Sequence, residues 1–419
     1  MKKPRWAKKV PYNPAGSVKV AATRLKRLTE DDYPLTCSYS EAAARRVARK
    51  LECLPPLRNR TCWKCGGKMS KFCRDGRIGF RCNRKKNQVS CGVRIMADAY
   101  TPLYYQHGGV SHEAPDEDES PTKRALVGQT MNAQGYLRTM HVFGLRAAPD
   151  LAVPLTGCTE RVVDRSFHFF RNACAWAEEE DANLAYFNDQ EVEADSASWN
   201  AIRTDPKATT HRGRVLVIKH RKTGQSAFTQ LPNTKVQKGA PSPPETYDEV
   251  RGPMVATIGP KSLLGVDGAK AWPKVAKLDL GGIPVGPANH GAKIFVKPAQ
   301  VKLPKSFPVA ALAQRPKAPR GFVRFQGGDN RAEAAFTGVK GVGRKRNALK
   351  ATKHSGGEFL CAAYLLKHPG LHGVASAVRR WLQAHVDKVR PDEAWTRGRQ
   401  RSKDAAPPRL VRKKPARRT

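Results

Sequence analysis

EVEADSASWNAIRTDPKATTHRGRVLVIKHRKTGQSAFTQL, residues Glu191 to Leu231, is the stretch whose reading decides the fold class. Val192, Ala194 and Ser196 alternate with Glu193, Asp195 and Ala197, the period of two that a strand with unlike faces requires. Glu193 and Asp195 therefore share a face. Arg214 to His220 is a run of aliphatic and β-branched residues, Lys222-Thr223-Gly224-Gln225 reads as a turn, and Ser226 to Leu231 is a second run, together a hairpin signal. The stretch is expected to be three strands of an antiparallel meander whose first strand carries acids. An isolated strand Asp is ordinarily a solvated surface residue, so its meaning depends on the remainder of the chain.

The remainder is strongly basic: 76 Lys and Arg stand against 36 Asp and Glu, a formal net charge of +40 with a pI near 10.2. A polyanion such as nucleic acid would neutralise such an excess; ribosomal and chromatin proteins share it, so charge alone does not indicate an enzyme. The 419 residues, 40% of them hydrophobic, suffice for roughly two to four domains with at least one real core. No apolar run approaches the roughly 18 residues of a membrane span, and MKKPRWAKKVPYNP lacks a signal peptide's apolar core. The expectation is a soluble intracellular protein with no membrane partner, nuclear if eukaryotic and otherwise cytoplasmic with nucleoid DNA. Of ten cysteines, five (Cys62, Cys65, Cys73, Cys82, Cys91) crowd into one short segment, which suggests metal rather than disulfides.

Residues 1–60 read as a basic N-terminal arm with one helix, Ser40 to Leu51, capped by Ser38 or Ser40. It either faces nucleic acid or is simply solvated. In residues 61–99, Cys62-x-x-Cys65 followed by Gly66-Gly67 is a knuckle that folds tightly round a thiolate-bound ion, and Cys82 and Cys91 supply a second arm. This predicts a structural Zn²⁺ site in a zinc ribbon. Eight residues separate Cys82 from Cys91 where a ribbon usually has two, so Cys73 is an alternative ligand. Arg84, Lys85 and Lys86 on the second arm are candidate DNA contacts. Residues 100–129, with the acidic run Asp116 to Glu119, read as a linker.

Across residues 130–180, Val163, Phe167, Phe170, Cys174 and Ala177 fall on one helical stripe behind Thr159 as cap, either a helix-turn-helix or an ordinary packed helical pair. Residues 181–390 are expected to form an α/β domain, a mixed sheet flanked by helices, with loop insertions at 238–260 and 297–320. Within it, Lys261-Ser-Leu-Leu-Gly-Val-Asp267-Gly-Ala-Lys-Ala-Trp272 reads as a short apolar strand ending in Asp267-Gly268 and followed by a helix start, which sets a carboxylate at a strand's C-terminal edge. Asn289-His290-Gly291 follows without assignment. Gly327-Gly328-Asp329-Asn330 then opens a helix with Glu333, Phe336 and Lys340 on one side, continued by Arg344, Lys345 and Arg346, apt for a phosphate backbone. On its own, Glu333 would be read as a surface ion pair. Helices at 357–367 and 374–386 are expected to pack, and residues 391–419 to be a disordered basic tail.

The order of these parts resembles the Merlin superfamily of transposases and their bacterial insertion-sequence relatives, across roughly residues 60–385. Val192-Glu193-Ala194-Asp195 matches the family's first aspartate motif, Asp267-Gly268-Ala269 the second, and Asn330-x-x-Glu333 with Phe336 and Lys340 the glutamate helix. Ser196 stands where the family usually has a second acid. The resemblance implies a ribonuclease-H-like catalytic domain behind the zinc ribbon, with Asp195, Asp267 and Glu333 as a DDE triad holding catalytic Mg²⁺ or Mn²⁺. It further implies a DNA transposase that cleaves and joins transposon-end DNA by two-metal in-line phosphoryl transfer. Expected partners are double-stranded DNA, as transposon ends and target, and further copies of the chain in a homodimer or higher oligomer. Two rivals stand beside it: a catalytically lapsed, transposase-derived DNA-binding protein, favoured by Ser196 and the insertions, and a basic structural nucleic-acid-binding protein, favoured by the charge.

Overall fold

The computed structural model describes residues 39–74, 77–103, 131–147, 149–188, 191–203, 209–237, 243–288, 296–304, 307, 319–345 and 355–391. The basic runs before Ser40, the acidic run Asp116 to Glu119, Asn289-His290-Gly291, Arg346 and the tail beyond Pro391 lie outside the described residues. Helices are α1 (Glu41–Lys50), α2 (Ala133–Gly144), α3 (Pro149–Thr156), α4 (Glu160–Leu184), α5 (Tyr247–Thr257), α6 (Ala271–Leu278), α7 (Asn330–Lys345), α8 (Ser355–Lys367) and α9 (Gly370–His385). Strands are β1 (Met69–Arg74), β2 (Arg77–Cys82), β3 (Lys85–Lys86), β4 (Val89–Ser90), β5 (Arg94–Met96), β6 (Glu191–Arg203), β7 (Thr209–His220), β8 (Ser226–Gln237), β9 (Leu263–Val266), β10 (Val285–Pro287), β11 (Val296–Lys302) and β12 (Phe322–Gly328). Among the described residues no helix is long and apolar enough to cross a membrane. The described residues form two compact units: one from residues 39–180, 338–345 and 360–391, the other from residues 181–337 and 355–359.

In the first unit, Ser40 caps α1 by accepting from the Ala43 amide at 3.3 Å, and Ala44, Val47 and Ala48 bury the helix's apolar side. The segment after α1 is packed as well. Arg60, fully buried, pairs through Nε with both carboxylate oxygens of Asp387 at 2.7 and 2.9 Å, and its guanidinium lies 5.0 Å from the Phe80 ring. β1, β2 and β5 form a three-stranded antiparallel sheet, from which the two-residue strands β3 and β4 project as a separate hairpin. On α4 the five stripe residues are all buried. Phe143 of α2 meets Phe167 at 5.0 Å, and Phe169 stands edge-on to Trp381 of α9 at 5.2 Å, so both sides of α4 are packed.

The second unit is a mixed five-stranded sheet in the order β10-β9-β6-β7-β8. β6, β7 and β8 make the antiparallel meander, while β9 runs parallel to β6 and β10 parallel to β9. Val192 and Ala194 of β6 join Leu216, Ile218, Leu264 and Val266 in a core shared with Trp272 and Val275 of α6 and Val250 and Met254 of α5. On the opposite face, Phe228 packs 6.4 Å from Phe336 of α7 and 5.9 Å from Phe359 of α8. Helices thus flank both faces.

Both stretches expected as loop insertions contain regular structure. Residues 247–257 are α5, and the signal was present: Thr246-x-x-Glu249 is a capping box, with the Glu249 carboxylate accepting from the Thr246 amide at 2.8 Å. Pro253 and the flanking prolines had obscured it. Residues 296–302 are β11, where Pro298 is tolerated because the strand pairs on one side only, with β12. The β11–β12 hairpin crosses the sheet at Gly265 and Gly286, which are register neighbours on β9 and β10. A Cβ on Gly265 would lie 2.2 Å from the Gly328 carbonyl oxygen, and one on Gly286 2.8 Å from the Gly327 Cα. Only glycine admits a backbone this close. Gly265→Ala should therefore destabilise the protein by about 1–3 kcal/mol in urea denaturation. Gly252→Ala, in α5 with nothing within 4 Å of its Cβ, should stabilise it by about 0.5–1 kcal/mol.

Candidate functional site

Three chain segments bring carboxylates to one edge of the mixed sheet. The β6–β9 register runs from Glu191 opposite Leu263 to Ala194 opposite Val266, so Asp195 and Asp267 are the next positions along two adjacent parallel strands. Asp267 is fixed there by local geometry: its Oδ1 accepts from the Ala269 amide at 3.0 Å and from Nε1 of the buried Trp272 at 2.6 Å. The Asp-Gly-Ala-Lys-Ala-Trp motif is thus a strand end, a turn and an indole that orients the acid. The third segment is the β12–α7 junction. Asp329 is fully buried at the head of α7 and its carbonyl accepts from the Glu333 amide at 2.9 Å.

Asp195 records this convergence. Burial, then the charges of Asp329 and Asp267, and finally that of Glu245 push its carboxyl up to about 8, against the opposing hydrogen bond from the Ser196 amide at 2.7 Å. Glu333 is exposed on the first turn of α7, four residues beyond Asp329 and so on the same side of the helix. Phe336 is buried one turn further along, and Lys340 is half-buried. Side chains of Arg344 and Lys345 lie outside the described residues.

The junction is held by Glu193, the other acid on the Asp195 face. One Glu193 oxygen accepts from Arg221 Nε at 2.6 Å, and the second accepts from the amides of Arg331 and Ala332 at 2.7 and 3.0 Å. Glu193 therefore caps α7 from a strand 138 residues away in sequence, satisfying two of the amides that every helix start leaves open. Arg221, in the β7–β8 turn, also pairs with Glu191 at 3.0 Å and donates to the carbonyls of Gln326 and Gly328. Beside Asp195, the Ser196 hydroxyl donates to Glu245, which Arg214 also holds at 3.1 Å. An acid from outside the strand thus meets Ser196, the residue next to Asp195. Asp329, Glu245, Arg214 and Arg221 were not read as site residues from sequence; the Gly-Gly-Asp-Asn run signalled only a helix cap.

The first unit holds a second cluster. The sulfurs of Cys62, Cys65, Cys82 and Cys91 all lie within 4.8 Å of one another, with Cys62 to Cys91 at 3.7 Å and Cys65 to Cys82 at 3.4 Å. A tetrahedral zinc with bonds of about 2.3 Å sets its sulfurs about 3.8 Å apart, so four thiolates here can hold such a metal. Gly66, at φ +67°, closes the knuckle, its amide donating to the Cys62 carbonyl at 2.7 Å. The Gly67 amide draws the Cys65 thiol down to about 7, while burial pushes Cys62 up to about 12. Cys73 is exposed on β1, opposite Ile78, and is not among the four. The eight residues between Cys82 and Cys91 are accounted for by the β3–β4 hairpin. Arg84 lies against Gly67 and donates to the Cys65 carbonyl at 2.7 Å, and Lys85 is exposed.

Compared with family models, curated proteins and solved structures, the chain finds no match. Two measurements bear on the clusters directly. Purified protein should carry about one equivalent of metal; Cys62→Ser, Cys65→Ser, Cys82→Ser or Cys91→Ser should each drop it below half, and Cys73→Ser should leave it unchanged. In the metal-free state the raised Asp195 keeps its proton while the unfolded chain loses it. Stability from this group is therefore full below pH about 4, is lost progressively as pH rises towards 8, and levels off above. Asp195→Asn should remove that part of the pH dependence in thermal melts.

Proposed function

We propose that the chain is a DNA transposase of DDE type, related to the Merlin superfamily, that cleaves and joins DNA strands by in-line phosphoryl transfer. The observation that carries this reading is the adjacency of Asp195 and Asp267 on parallel strands with the head of α7 presented to them. A central acid-bearing strand, an antiparallel meander on one side and a parallel strand ending in an acid on the other are what a ribonuclease-H-like sheet requires. Asp195, Asp267 and Glu333 are the proposed triad, with Asp329 and Glu245 as neighbouring acids.

Divalent Mg²⁺ or Mn²⁺ suits these hard oxygen ligands and supplies activation of a water or DNA 3′-hydroxyl and neutralisation of the leaving oxygen. The chain's own part is positioning. Trp272 orients Asp267, Glu193 fixes α7, and the burial and mutual repulsion that raise Asp195 are what a bound cation would offset. The four-cysteine cluster with β1, β2 and β5 is the proposed zinc ribbon. α3, the turn at Gly157 (φ +69°) and α4 have the spacing of a helix-turn-helix, and both elements are proposed to contact transposon-end DNA, with the +40 net charge supplying backbone affinity.

Nicking of supercoiled plasmid in Mg²⁺ or Mn²⁺ tests the proposal. Activity should be present in the wild type, absent in Asp195→Asn and Asp267→Asn, and lost in Glu333→Gln while DNA binding persists. An Asp195→Asn protein that nicks like wild type overturns the assignment. A wild type that binds duplex but never nicks points to the lapsed transposase.

A further inference from the structure

The hairpin between Cys82 and Cys91 serves neither the core nor the acidic site. β3 and β4 are only two residues each, paired Lys85 with Ser90 and Lys86 with Val89, and an isolated ribbon of that size does not hold its shape in water. Here both ends are pinned. Cys82 and Cys91 enter the sulfur cluster at opposite ends of the hairpin, and the Cys91 amide donates to the Arg84 carbonyl at 2.9 Å. At the tip, Asn87 (φ 48°) and Gln88 (φ 63°) both occupy the left-handed region, the conformation of a two-residue type I′ turn and an unfavourable one for Gln.

Asn83, Arg84, Lys85, Asn87, Gln88, Val89 and Ser90 are all exposed, and Val89 at 72% is among the most exposed large apolar residues described. The surroundings have one sign of charge: residues 61–97 contain ten Lys and Arg and a single acid, Asp75. A stiff basic ribbon with amide and apolar side chains at its end matches the major groove of duplex DNA. That groove is wide enough for two strands, flanked by phosphates, and lined with amide-readable edges and thymine methyls.

We propose that this cysteine-clamped hairpin is a finger that enters the DNA groove, Lys85 gripping a phosphate while Gln88 and Val89 read base edges. The proposal rests on the DNA partner proposed above but not on catalysis. Its test therefore uses the full chain, zinc-loaded and in the Asp195→Asn background. The probes are a 30-base-pair duplex pool with a randomised centre and single-stranded RNA of equal length. Lys85→Ala should weaken binding to the unselected duplex about tenfold near 0.1 M salt and make the log K against log salt slope shallower by about 1. Gln88→Ala/Val89→Ala should leave that affinity within about twofold but change the sequences enriched from the pool. Metal content must stay at one equivalent in both variants, which separates a lost contact from a lost fold.

Identical enrichment by the tip variant and the parent overturns the reading role, and an unchanged salt slope overturns the grip. Preference for the RNA probe overturns the finger's assignment to DNA. Each of these outcomes leaves the nicking test of the acidic site to stand or fall separately.

Discussion

Glu193 and Arg221 form the buried pair on which the second unit's geometry depends. Their side chains are 2% and 7% exposed and meet at 2.6 Å. Taken alone such a pair contributes little net stability, because desolvation offsets most of the Coulomb attraction. Its value here is positional. The carboxylate left over after pairing with Arg221 faces two helix amides, and the guanidinium left over after pairing with Glu193 faces two strand carbonyls. The end of β12, the head of α7 and the start of β6 are thereby fixed together. Removing either partner would bury an uncompensated charge beside Asp195.

Backbone clearance makes that arrangement possible. The β11–β12 hairpin reaches the β6 edge because Gly265 and Gly286 leave a side-chain-free strip across β9 and β10, and Gly327 and Gly328 fill it with backbone. Packing at this spacing brings the buried Asp329 within electrostatic reach of the half-buried Asp195. Repulsion among the acids is a cost that the apolar and polar scaffold around them has to carry. A polyvalent cation would convert that cost into affinity.

The first unit solves a related problem with different chemistry. Arg60 is buried, Asp387 is its one ionic partner among the described residues, and the aromatic faces of Phe80 and Tyr100 lie beside the rest of its guanidinium. The sheet whose central strand β2 ends in Cys82 is thus tied to the segment that follows α9. Sulfur geometry then sets the shape of both knuckle arms, and the long second arm becomes a hairpin.

Sequence alone determined the local features. Alternation along β6 placed Glu193 and Asp195 on one face, Lys222 to Gln225 marked a turn, Ser40 marked a helix start, and cysteine spacing marked a metal-competent cluster. Each depends on residues within a few positions of one another, where periodicity and capping chemistry act directly. Prolines and glycines in 238–260 and 297–320 looked like loop composition, and only edge pairing and a capping box made a strand and a helix of them. Which carboxylates surround Asp195 was decided by tertiary structure. Asp329 and Glu245 are brought in by partners that no local pattern announces, such as an α7 cap 138 residues from its donors and a serine 49 residues from its glutamate. Electrostatic neighbours follow from how backbone segments cross, and those crossings are set by long-range packing that leaves no short-range trace in the chain.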